Sequence, residues 1–183
     1  MQAALPYNRA VRDTKSAGAT VTLAYGRQGL PVRFDRPVEV LEPEERPALP
    51  DAPGALIEAL RGPNDAAPLR EQATSESRVA IVISDGTRPA PNRELVAATL
   101  GELSHVPAEQ ITILVATGLH RPATNAELAA MVGPDVAGSH RVINHDARDP
   151  SGLEEIGATS SGRPVVVNRV YLEADLRVTL GLI

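Results

Sequence analysis

The run Val79-Ala80-Ile81-Val82-Ile83 constrains this chain more than any other stretch. A strand with one wet face alternates apolar and polar residues, whereas an unbroken apolar, β-branched run suits a strand covered on both faces, inside a parallel sheet. Past a loop at 84–92, residues 93–103 place Leu95, Val96, Leu100 and Leu103 on one helical face. Residues 111–115 repeat the buried-strand pattern, and a helix is expected at 125–132. Arg141-Val142-Ile143 predicts a third strand, Val165-Val166-Val167 a fourth and residues 176–183 a fifth. Strands alternating with helices imply right-handed crossovers. The expected fold is α/β, with a mostly parallel Rossmann-like sheet carrying helices on both faces.

Ahead of this pattern the signals are weaker. Residues 21–25 and 30–34 alternate around Gly26-Arg27-Gln28-Gly29, which predicts a small N-terminal β-hairpin. Residues 1–20 show no period and read as a flexible segment, leaving 21–183 as the folded domain. The proline-rich stretch 37–53, with Glu39, Glu42, Glu44, Glu45 and Asp51, reads as an extended surface connection. A short helix is expected at 55–61.

In an open α/β sheet, ligands lie beyond the carboxyl ends of the strands. Three successive strands here end in polar clusters: Ser84-Asp85-Gly86-Thr87-Arg88-Pro89, then Thr117-Gly118-Leu119-His120-Arg121-Pro122, then Asn144-His145-Asp146. If the strands are neighbours, all three fall on one edge. Each has a plain structural account when taken alone: Asp85 and Thr87 as turn or N-cap groups, His145 and Asp146 as a solvated loop. His105 and His140 have no partner in sequence and are assigned no role. Read together, Arg88 offers a planar fork for a carboxylate, His120 offers an imidazole, the side chain whose unperturbed pKa lies near neutrality, and Asp85 is suited to orient that imidazole. Pro89 and Pro122 are each expected at the first turn of the following helix, whose N-terminus would favour anions and keep His120 neutral.

Composition narrows the chemistry. With no cysteine, disulfides, thiolate metal sites and thiol nucleophiles are excluded, so metal ligands are limited to His, Asp and Glu. A net charge of -5 and aromatics at 2% argue against a nucleic-acid partner. No apolar run approaches the roughly 18 residues of a membrane span, and residues 1–10 lack the apolar core of a signal peptide; a cytoplasmic protein is expected. Lys15 is the only lysine.

Val82-Ile83-Ser84-Asp85-Gly86-Thr87-Arg88-Pro89 resembles the strand-end motif of the lactate racemase-like family of nickel-pincer-nucleotide racemases and epimerases, and Ala116-Thr117-Gly118-Leu119-His120-Arg121-Pro122 resembles its second motif. Asn144-His145-Asp146, Gly157-Ala158-Thr159, Gly162-Arg163-Pro164 and Glu173-Ala174-Asp175-Leu176 continue the likeness in order, so that it runs from about residue 25 to 183. The resemblance implies the N-terminal domain of a two-domain 2-hydroxy acid racemase or epimerase, with the nickel-bearing pyridinium nucleotide lodged between domains. It implies that His120 is acid/base on the substrate hydroxyl, that Asp85 supports it, that Arg88 contacts substrate, and that Thr87, Thr117 and Gly118 border the cofactor. No metal ligand is expected in this chain. The family's second catalytic histidine, tethering lysine and nickel-ligating histidine follow the point at which this sequence stops, inside an apolar strand at Leu180-Gly181-Leu182-Ile183. A missing C-terminal domain is therefore expected, with no cofactor bound by this chain alone and with Leu182 and Ile183 exposed or paired with another copy. Two alternatives remain open: a stand-alone anion- or partner-binding module without turnover, and a metal-dependent hydrolase built on His120, His145 and Asp146.

Overall fold

A computed structural model of the chain describes residues 9–14, 18–26, 28–43 and 47–181. The chain divides into two compact units, Met1–Ala48 and Leu49–Ile183.

In the first unit the regular elements among the described residues are strands. β1 (Arg9–Thr14), β2 (Thr20–Leu23), β3 (Leu30–Arg33) and β4 (Val38–Pro43) form two antiparallel pairs, β2 with β3 and, outside them in sequence, β1 with β4. The expected hairpin is present. Two readings change. β1 falls within the segment that shows no period, and β4 occupies the front of the stretch read as a connection. The period-two signal of Val38 and Val40 around Glu39 was there, but the prolines on either side mask it. Pro37 precedes the strand and Pro43 ends it, the positions in which a residue lacking an N–H is tolerated.

The second unit runs α1 (Ala52–Arg61), β5 (Val79–Ser84), α2 (Asn92–Glu102), β6 (Ile111–Ala116), α3 (Asn125–Val132), α4 (Pro134–Ser139), β7 (Arg141–Asn144), β8 (Leu153–Ala158), β9 (Pro164–Asn168), α5 (Arg169–Glu173) and β10 (Leu176–Thr179). Four strands form a wholly parallel sheet in the order β10-β5-β6-β7. β5 and β6 are central, which is why their sequences are apolar on both faces. On one face Val79, Ile81 and Ile83 of β5 and Ile111, Ile113 and Val115 of β6 pack with Val96 and Leu103, on and just after α2, and with Leu128 and Val132 of α3. Ile81, Ile83, Val96, Leu103, Ile113 and Val115 are at 0% exposure, and each such side chain contributes roughly 1.5–3 kcal/mol of transfer free energy. α1, α2, α3 and α4 lie side by side over this face.

The opposite face holds Ala80, Thr112 and Leu114, all buried. Arg177 of β10, in register with Ala80 on that face, reaches the carbonyls of Tyr171 (2.7 Å) and Leu172 (2.6 Å) in α5 and lies over the Tyr171 ring. Helical structure therefore covers both faces.

The Val165-Val166-Val167 run forms a strand as expected, but outside the parallel sheet: β9 pairs antiparallel with β8 in a hairpin of its own. Its residues alternate between exposed and half-buried, so a β-branched run here marks one covered face, not two. Among the described residues, no helix is long and apolar enough to cross a membrane.

Candidate active site

Parallel register sets the ends of the central strands side by side, with Ser84 opposite Ala116 and Val115 opposite Asn144. The three polar clusters that follow these strands thus line one edge of the sheet.

Asp85, at 8% exposure, leaves β5 directly into a turn closed by the Arg88 N–H on the Asp85 carbonyl (3.1 Å). Its carboxylate uses the two oxygens for separate tasks. Oδ1 accepts from the Thr87 hydroxyl at 2.6 Å and from the Thr87 N–H at 3.3 Å, an Asx-type turn that holds the side chain in place. Oδ2 faces Nδ1 of His120 at 2.6 Å. A carboxylate only accepts, so Nδ1 is the donor, and the neutral ring presents Nε2 as a free lone pair. The Asp85 carboxyl titrates below its ordinary 3.8, chiefly because of the Thr87 hydroxyl and next because of His120, with desolvation opposing both. It is a charged acceptor at neutral pH, as orienting an imidazole requires.

His120 sits on the loop between β6 and α3, closed by its own N–H on the Thr117 carbonyl at 2.9 Å. Gly118 takes φ +57° there, and a Cβ would meet nothing within 4 Å, so backbone conformation and not space calls for glycine. The Thr117 hydroxyl, in a residue at 2% exposure, donates to the His145 carbonyl. The Asn144 amide accepts from the Ala123 N–H and donates to the Ala123 carbonyl, both at 2.9 Å, and Arg148 reaches the Leu119 carbonyl at 3.3 Å.

Asp85, Arg88 and His120 line a common cavity of about 420 Å³ at the ends of β5, β6 and β10, together with Ser84, Gly118 and Leu180. The Arg88 side chain makes no hydrogen bond or ion pair among the described residues, so its fork is unspent. Arg121 differs. It makes paired bonds of 2.8 and 2.7 Å to Glu127, and these, followed by the Thr124 N–H, pull Glu127 down to about 2. A second hollow of about 340 Å³ also borders Asp85 and His120, with Ala123, Ala130 and Met131 among its walls.

Other expectations fare differently. Pro89 and Pro122 do not begin helices: α2 starts at Asn92 after Pro91, and α3 at Asn125 after Thr124, whose hydroxyl and Glu127 form a capping box. Two residues intervene in each case, Ala90-Pro91 and Ala123-Thr124; the capping box closes α3, whereas α2 has no side-chain cap. The Thr124 and Glu127 side chains satisfy donors at the α3 N-terminus. His145 Nδ1 pairs with the Asn168 amide at 3.1 Å, and the Asp146 carboxylate accepts from the Arg148 N–H at 2.8 Å. No group of three His, Cys, Asp or Glu able to hold a metal occurs among the described residues, so the His120, His145 and Asp146 hydrolase reading finds no support. Thr87 and Thr117 are placed beside the cavity or its pair, but their hydroxyl protons are committed to Asp85 and His145. Leu182 and Ile183 lie outside the described residues. What sequence reasoning missed is the latch of Asn144 on Ala123; the two are 21 positions apart, and nothing local joins them.

Comparison with known proteins follows the same residues. The family model for the lactate racemase N-terminal domain matches residues 25–183. The lactate racemase of Lactiplantibacillus plantarum is 38% identical over 116 residues, which are 63% of this chain and 27% of that protein. The lactate racemase of Thermoanaerobacterium thermosaccharolyticum is 34% identical over 126 residues, 68% of this chain and 30% of that protein. The aligned segments thus cover less than a third of the length of either relative. The solved apoprotein of the latter superposes with a TM-score of 0.65 at 26% identity, covering 88% of this chain and 38% of that one. A Thermotoga maritima protein, at 19% identity and TM-score 0.57 over 71% of this chain and 33% of its own, shares the fold. With nearly all of its parallel-sheet unit and the paired Asp85 and His120 inside the matched span, this chain belongs to the lactate racemase N-terminal domain family.

Proposed function

We propose that this chain forms one wall of a racemase or epimerase site for 2-hydroxy acids, with His120 as acid/base on the substrate hydroxyl, Asp85 orienting it and Arg88 holding the substrate carboxylate. The observation that carries the reading is the 2.6 Å His120–Asp85 pair opening on the same cavity as the unpaired Arg88. A 2-hydroxy acid carries its carboxylate and hydroxyl on adjacent carbons, so a guanidinium fork and an imidazole within one cavity suit its two polar groups. Nε2 takes the hydroxyl proton while the Asp85 charge stabilises the imidazolium formed, and the same proton is returned when the hydroxyl is restored. Lactate is the first substrate to try, since the relatives are named for it.

The nickel-pincer nucleotide that the resemblance implies would supply a hydride acceptor for the hydrogen on carbon. Its fit here is limited to lining. Gly118 offers open backbone, Thr87 and Thr117 only lone pairs, and no described group of residues would hold nickel. The metal and the C–H chemistry belong to a second domain, which we take to complete the site in the cytoplasm. Titration of the chain with lactate and with propionate, followed by NMR of the His120 ring and the Arg88 guanidinium, tests the reading. Both acids are expected to move Arg88, and only lactate His120. Lactate that moves Arg88 but leaves His120 unmoved would remove the acid/base role and favour an anion-binding module.

A further inference from the structure

We infer that Asn144 is a positioning residue for His120, latching the loop that carries the imidazole to the tip of β7; the inference rests on the proposed acid/base role of His120 for its meaning, though not for its test. The His120 side chain is 59% exposed, so packing does not hold it. Within the ring's own reach there is one hydrogen bond, to the buried Asp85, and that bond forms only if the loop backbone holds the ring where Oδ2 can reach it.

That backbone is tied at three points, all from the tip of β7 and the residues that follow it. The Thr117 hydroxyl binds the His145 carbonyl at the loop's start, Arg148 reaches Leu119 from solvent, and the Asn144 amide grips both polar groups of Ala123 at its end. The Arg148 contact, at 3.3 Å from an exposed side chain, is the weakest. The Asn144 contact alone is two-pronged and half-buried. It joins the tip of β7 to Ala123, the residue just before the α3 N-cap Thr124. Only an amide has an acceptor and a donor at the required spacing. Aspartate has the same shape but no donor, and it would set a negative charge against the Ala123 carbonyl. The third polar cluster, read as a loop or a ligand set, thus acts on the reaction through the second.

The test uses Asn144→Asp and Asn144→Leu in this chain, with the nitrogen shifts of the His120 ring, assigned by comparison with His120→Gln, as the readout. In the parent chain His120 is expected as the Nδ1–H tautomer, because Asp85 demands a donor. Both variants are expected to lose that preference and move to the Nε2–H majority of an unrestrained histidine, while far-UV dichroism stays at the parent level, since the buried core does not include Asn144. If Asn144 only stabilises the fold, the variants will melt earlier yet keep the Nδ1–H tautomer, and the inference is overturned. Should a variant fail to fold, Ala123→Pro, which removes the N–H that Asn144 accepts, is expected to shift the same tautomer, and an unchanged ring there overturns the inference too. The tautomer reports geometry and not turnover, so it can hold when lactate fails to move His120, and fail when lactate succeeds.

Discussion

Two oxygens of one carboxylate organise the candidate site: Asp85 Oδ1 folds its own turn through Thr87, and Oδ2 aims His120. Because these bonds favour the charged form, the Asp85 pKa lies lower in the folded chain than the ordinary 3.8. Its contribution to stability is therefore present above that ordinary value and is lost as pH falls through the lowered one. Melts of the parent and of Asp85→Asn should differ at pH 6 and converge as pH drops below the ordinary value; a gap that widens with acid would contradict the assignment. Thr87→Val removes the largest of the lowering contacts and is expected to raise the Asp85 titration midpoint, seen by carbon NMR of the carboxyl. The motif residues themselves were legible because strand-end clusters are local in sequence. Their pairing was read by taking the two clusters together, but its geometry was not legible, since 35 positions separate Asp85 from His120 and adjacent parallel strands bring them together.

Among the elements, β5 and β6 were the easiest to read, and the reason is burial. A central parallel strand is dry on both faces, so its sequence is apolar without interruption, and Val79–Ser84 and Ile111–Ala116 match the expected spans closely. β1, β4 and β8, on edges or in isolated pairs, carry no such requirement. The difference should appear in stability. Ile81→Ala, at a site with 0% exposure in the sheet core, is expected to cost about 2–5 kcal/mol in denaturant melts. Leu119→Ala, at 69% exposure in the His120 loop, is expected to change stability by no more than about 0.5 kcal/mol. A large loss for Leu119→Ala would mean that the loop is part of the cooperative core and not a feature latched onto it.

For the whole molecule, the proportion of the relatives that is matched bears on what to expect of this chain alone. It aligns with 27% and 30% of the two lactate racemases. On the proposed reading His120 takes a hydroxyl proton while no described residue accepts the hydrogen on carbon, and groups that act as a unit lose nearly all activity when one is absent. Incubated with nickel, cofactor and single-enantiomer 2-hydroxy acids, the chain is expected to leave optical rotation unchanged. Racemisation that disappears in His120→Ala would show that these residues complete a site by themselves.

The amino-acid sequence by itself determined the α/β class, the central strands and the identity of the polar clusters, because strand burial and turn chemistry act over a few consecutive residues. It also carried the family likeness, through ordered motifs from about residue 25 onward. The strand order β10-β5-β6-β7, the exclusion of β9 from that sheet and the helix starts at Asn92 and Asn125 were decided by tertiary structure. So were the commitment of Arg121 to Glu127, which leaves Arg88 as the unspent fork at the cavity, and the latch of Asn144 on Ala123. Each of these depends on which groups satisfy one another across long separations, and a hydrogen bond between distant residues leaves no period in the sequence to read.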